Sequence, residues 1–277
     1  MRQDSFERTA KPLTYFFYSL SWSWFFWLGA AWLSRTEEPE LVRLLHFLGG
    51  AGPLLMALLL LYTRESSLTR RDFWLRVIDW RRIRAPWYLV ILGLPLLTAG
   101  TAAGLDYLLG GEGLKLEVTP DILTHPLLLL RFSFFILIFG PVPEELGWRG
   151  YGLDKLQAEY SALPASFLLG TFWALWHLPL FWIQGTYQAG LGIGTVSFWL
   201  FLLELIPLAV IFTWIYNNCH RSILAAILLH FMVNFNGELL ALSARADRFE
   251  FGVVCLIAIL IIHKTDAATL LRKISAS

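Results

Sequence analysis

The sequence predicts an all-α membrane protein, a polytopic bundle of about eight transmembrane helices around a polar intramembrane cavity. Two observations carry the class. Of 277 residues, 57% are hydrophobic and only 16% charged, with a mean hydropathy of +0.59, outside the usual range of soluble domains. Several apolar runs also reach roughly 18 residues or more, enough to cross about 30 Å of hydrocarbon as helix. The cavity is predicted by a third observation, a small set of ionisable and amide side chains inside those runs. Charge at depth is expensive and is placed where it is paired or functional.

Taken in order, the spans fall at about residues 13–33, 44–62, 87–109, 127–146, 164–183, 196–216, 223–240 and 250–263, with boundaries good to a few residues. The first is too long and too aromatic for a cleavable signal peptide. It carries Tyr15, Trp22, Trp24, Trp27 and Trp32 and reads as a retained anchor with rings at both interfaces. The last is short. With no internal repeat and no soluble linker, residues 1–277 form a single integral membrane domain. The segment from Gly110 to Pro126, with Gly111, Gly113 and Pro120, is the longest outer loop.

Basic residues set the orientation. Arg64, Arg70, Arg71, Arg76, Arg81, Arg82 and Arg84 between the second and third spans place that connection in the cytoplasm. An even span count then puts the N-terminal Arg2, Arg8 and Lys11 and the C-terminal Lys264, Arg272 and Lys273 on the same side. Asp72 and Asp79 interrupt the basic run, and Phe73, Trp74 and Trp80 are interleaved with it. It is read as a topology determinant lying along headgroups, with membrane lipids rather than nucleic acid as partner. The two cysteines, Cys219 and Cys255, form neither a disulfide framework nor a metal pattern.

The segment Pro141-Val-Pro-Glu-Glu-Leu-Gly-Trp-Arg-Gly150 needs the most explanation. Glu145 and Arg149 are four apart, with the acid on the N-terminal side, and so form a favourable pair on one helix face. Glu144 diverges by about 100° and is left free to act as a base. In the fifth span His177 sits among Trp173, Trp176 and Phe181, with Pro179 beyond it to open the helix. In the seventh, His230 and Asn234 share a face, with Asn236 off it. Each could serve as interhelical packing alone. Together they favour convergence around a water-filled cavity, where a carboxylate and imidazole take a proton from water and a second imidazole with a carboxamide stabilises an oxyanion. The same Glu144, His177 and His230 could instead hold a divalent metal such as zinc; no His-Glu-x-x-His motif is present, and spacing does not decide between the two. Glu204 and Asp106 also fall inside spans, without evident partners. The funnel to this site is expected to open toward the cytoplasm.

Glu144-Glu145-x-x-x-Arg149, Trp173-x-x-x-His177 and His230-x-x-x-Asn234 resemble the three signature motifs of the CAAX-protease and bacteriocin-processing family of intramembrane proteases, over about residues 130–240. The resemblance implies an intramembrane endopeptidase in which Glu144 and His177 activate water, His230 and Asn234 hold the oxyanion, and Glu145 with Arg149 supports the site. It implies a membrane-associated peptide substrate, a lipidated or prenylated C-terminal peptide among the options. It leans to metal-free glutamate-type chemistry while leaving a metal open. Trp173 departs from the phenylalanine usual in the second motif. A bacterial or archaeal cell membrane is the expected setting, and the oligomeric state is left open. The competing readings are a non-catalytic immunity or scaffold protein that keeps the polar cluster for packing, and a proton-coupled transporter, which repeat symmetry would mark.

Overall fold

A computed structural model describes residues 11–36, 38–116 and 125–271. The basic residues Arg2, Arg8, Arg272 and Lys273 and the loop residue Pro120 therefore lie outside the described residues. The chain is almost wholly helical: α1 (Pro12–Leu33), α2 (Pro39–Gly50), α3 (Gly52–Arg64), α4 (Ser67–Ile78), α5 (Ala85–Leu108), α6 (Pro126–Phe139), α7 (Pro141–Gly147), a π-helical segment (Trp148–Gly152), α8 (Leu153–Glu159), α9 (Ala162–His177), a 3-10 turn (Leu178–Trp182), α10 (Tyr187–Leu191), α11 (Val196–Asn218), α12 (Ile223–Leu239) and α13 (Ala244–Lys264). A two-residue antiparallel ladder pairs β1 (Lys115–Leu116) with β2 (Leu240–Ala241).

Four described segments are long and apolar enough to cross a membrane: Ala85–Leu108, Pro126–Glu159, Ala162–Trp182 and Val196–Asn218. The bent pair α2–α3 makes a fifth if counted as one span. This is fewer than the eight expected. The other three expected spans are helical but fall short for identifiable reasons. The 22 residues of α1 are diluted in hydropathy by tryptophan, tyrosine and serine. The 17-residue α12 is brief. The first two turns of α13 carry Arg245, Asp247, Arg248 and Glu250, and that helix starts earlier than residue 250.

The expected second span breaks at Ala51, where α2 and α3 meet at 44°. Pro53 supplies no backbone donor, and the glycines around it let α1 approach closely. A Cβ on Gly49 would lie 2.3 Å from the Trp27 ring, and one on Gly52 2.2 Å from Ser23 Oγ. The carbonyls near the break are satisfied from α1, by Trp22 Nε1 on Leu48 O (2.8 Å), Ser23 Oγ on Gly49 O (2.7 Å) and Trp27 Nε1 on His46 O (2.8 Å). Backbone polar groups at membrane depth demand such partners.

The two ends of the bundle differ. At one end lie the arginine-rich segment with α4, the α8–α9 and α11–α12 connections, and residues 265–271. Arg82 Nη1 donates to His220 O, Asn217 Nδ2 to Thr269 O, and Ala162 N to Ala268 O. The C-terminal end of the described residues thus sits at the arginine-rich end. A buried arginine, Arg76, organises this end: it pairs with Asp72 and Asp154 and donates to Gly150 O. At the opposite end Asp106, one of the two unexplained acids, accepts from Arg245, Ser243 Oγ and Gly113 N, tying α5 to the start of α13.

Candidate active site

Glu144 and Glu145 do not sit at the end of a span, as the boundary near residue 146 implied. They lie within the continuous helical segment Pro126–Glu159, just after a kink at Gly140 and just before the π segment. Proline at 141 and 143 is tolerated because the first turn of a new helix needs no internal donors. Gly147 is dictated by packing, since a Cβ there would lie 2.5 Å from both Pro53 Cβ and the Tyr15 hydroxyl.

Glu145, His230 and Arg149 form one buried cluster. Arg149 Nη1 donates to Glu145 Oε1 at 2.7 Å, with both side chains fully buried. The pairing read from the i, i+4 spacing is therefore present. A second link was not legible in sequence: His230 Nδ1 lies 2.8 Å from the same Oε1. A carboxylate only accepts, so Nδ1 donates and Nε2 is the ring atom left for another partner. The Arg149 guanidinium also lies over two rings, 4.5 Å from the Trp173 ring centroid and 4.1 Å from that of Phe212. Those faces partly replace the water it lacks.

Glu144 is buried and accepts from Trp173 Nε1 through Oε2 at 2.7 Å. Phenylalanine at 173 could not make this bond. His177, on the last turn of α9, has Nδ1 2.8 Å from Trp173 O, so Nδ1 again carries the donor and Nε2 remains. Beyond it Leu178 N–H turns back to Leu175 O and the helix tightens into the 3-10 turn that contains Pro179. The Trp173 ring centroid is 6.2 Å from that of His177 and 5.5 Å from that of His230. Asn234 adjoins Gly140, where an added Cβ would meet its Nδ2 at 3.0 Å.

All four residues expected to do chemistry, Glu144, His177, His230 and Asn234, line one cavity of about 970 Å³, together with Glu204, the other unexplained acid. Among the described residues, none at the arginine-rich end lines the cavity. Its further walls come from Ser34, Arg43, His46, Gln184 and Glu238, at the opposite end. A cytoplasmic arginine segment and a cytoplasmic funnel are therefore incompatible expectations; the fold puts them at opposite ends of the bundle.

Among the described residues, no group of three or more His, Cys, Asp and Glu is arranged to hold a metal ion. Nδ1 of His177 is engaged by Trp173 O and Nδ1 of His230 by Glu145 Oε1, which leaves Nε2 as the free ring atom of each. Cys219 is fully buried, and burial pushes its thiol up to about 12, so it is a packing group rather than a nucleophile.

A helical bundle with apolar spans and buried acid, imidazole and amide groups around an internal cavity defines an integral membrane protein with an intramembrane polar site. Residues 126–236 match the family described as type II CAAX prenyl endopeptidase Rce1-like. A Methanococcus maripaludis protein named CAAX prenyl protease 2 is 30% identical over 266 residues, covering 91% of this chain and 93% of that protein. The chain belongs to the Rce1-like family of membrane peptidases. The matched region contains all six residues singled out from the sequence.

Proposed function

We propose that the protein is an intramembrane endopeptidase whose base is Glu144, acting on a membrane-associated peptide with a prenylated C-terminal segment. The substrate class follows the name of the archaeal relative. The observation that carries the chemistry is that Glu144 and both histidines surround Trp173 in one buried cavity. Glu144 Oε1 and His177 Nε2 are the unengaged atoms of a base pair for water. As water oxygen attacks the scissile carbonyl carbon, its proton passes to Glu144. Charge develops on the carbonyl oxygen, where His230 Nε2 and the Asn234 carboxamide act as donors, and Glu145 balances the imidazolium that donates through both nitrogens. Collapse breaks the C–N bond, and the departing amine takes the proton back from Glu144.

The test is cleavage of a quenched farnesylated peptide by purified protein, with and without chelator. Wild type should cleave in both conditions, while Glu144→Gln, His177→Ala and His230→Ala each lose activity by about 10²-fold or more. Retained activity in Glu144→Gln would overturn the reading, and loss of wild-type activity on chelation would overturn its metal-free form.

A further inference from the structure

Trp173 touches more of this site than any residue to which a chemical role has been given. Its indole N–H donates to Glu144 Oε2 (2.7 Å), its backbone carbonyl accepts from His177 Nδ1 (2.8 Å), and its ring face lies 4.5 Å from the Arg149 guanidinium. The ring is nearly fully buried, packed edge-on against Phe212 at 5.7 Å and His230 at 5.5 Å. Its plane is therefore fixed by three neighbours, and the direction of its one N–H is fixed with it.

A glutamate has three side-chain torsions, and a buried one with no fixed donor can point either oxygen at a substrate. Here the donor is held by a residue that cannot itself rotate. We propose that Trp173 is the positioning residue for the base: it pins Oε2 of Glu144 and so presents Oε1 to water. It also transmits the placement of the Glu145–Arg149 pair to Glu144, because Arg149 stacks on the same ring. The proposal rests on the water-activating role of Glu144 and adds to it a residue that acts through that carboxylate.

Placement errors of this kind act on the chemical step. A misplacement of about 1 Å can cost on the order of 10²-fold in rate with binding unchanged. The discriminating substitution replaces Trp173 with 3-benzothienylalanine by nonsense suppression, exchanging the N–H for sulfur while keeping the bicyclic ring and its stack on Arg149. The kinetics of cleavage of a quenched farnesylated peptide are measured alongside the unfolding temperature. The expected result is kcat lower by about 10–100-fold, with KM within about twofold and unfolding unchanged. Trp173→Phe should reproduce the kcat loss with some loss of stability. A kcat for the sulfur analogue within twofold of wild type overturns the proposal. Glu144→Gln is run in parallel: if it retains activity the base assignment itself fails, whereas an inactive Glu144→Gln beside a fully active analogue removes only the role of Trp173.

Discussion

The two adjacent glutamates should respond oppositely to the same substitution. In Glu145→Gln, one oxygen can still accept from Arg149 Nη1 and His230 Nδ1, but the charge that balances Arg149 is gone. Arg149 is fully buried, and its Nε and Nη2 have no hydrogen-bond partner among the described residues. Breaking a buried ion pair by removing one charge costs about 3–5 kcal/mol. The new amide nitrogen falls where Glu145 Oε2 already lacks a partner, adding an orphaned donor worth about 1–3 kcal/mol. The aromatic faces of Trp173 and Phe212 contact Arg149 in both forms and leave this difference unchanged. The net loss is at least about 4 kcal/mol, which for a chain of this size lowers the unfolding temperature by on the order of 10 °C or more. Glu144→Gln loses much less, because its carbonyl oxygen can still accept from Trp173 Nε1. Thermal unfolding of both variants in one detergent at one scan rate provides the comparison. A Glu145→Gln protein as stable as Glu144→Gln would refute the division of the pair into a structural and a chemical carboxylate.

Gly147→Ala should destabilise by about 1–3 kcal/mol or prevent folding, since the added methyl meets Pro53 and the Tyr15 hydroxyl at 2.5 Å; detergent-solubilised yield and unfolding temperature report it. Gly140→Ala pushes on Asn234 Nδ2 from 3.0 Å, a contact a side chain can relieve by moving a few tenths of an ångström. It should therefore reduce kcat severalfold with little change in unfolding temperature. Arg76→Ala should cost about 2 kcal/mol, below the value for an isolated buried pair, because Asp154 keeps Tyr216 and Arg221 as partners. Its readout is again the unfolding temperature.

The site was legible wherever helical spacing alone decides a contact. Glu145 and Arg149 pair as i, i+4 residues must, and the three polar spans do converge, because no other arrangement satisfies them in a low-dielectric interior. Contacts between helices were not legible. Nothing in the sequence says that Glu145 accepts from His230, 85 residues on, or that the tryptophan at 173 donates to Glu144. Asp106 found its cation 139 residues away in Arg245 for the same reason. Hydropathy located the helices, and four or five of the eight expected spans have the length and composition to cross a membrane among the described residues. It could not see the break at Ala51, or that Pro126–Glu159 continues through the motif. The cytoplasmic arginine segment and the cytoplasmic funnel could not both hold, because topology signals describe loops, whereas the cavity is lined from the opposite end of the bundle.

The π segment between Arg149 and Asp154 has a consequence for the spacing of this helix. Arg149 meets Phe212, and Asp154, five residues later, meets Tyr216, four residues beyond Phe212 on α11. A regular α-helix would carry Asp154 about 140° around from Arg149, away from α11. The wider turn absorbs one residue, so the flanking helices keep the phase of an uninterrupted helix one residue shorter. Removing Gly150 would therefore restore regular winding without rotating either flank. Both contacts with α11 should survive, and the loss should fall on the carbonyl that Arg76 now binds. At this point in the chain a deletion should be milder than an insertion, whereas in a regular helix either would rotate one flank against the other by about 100°.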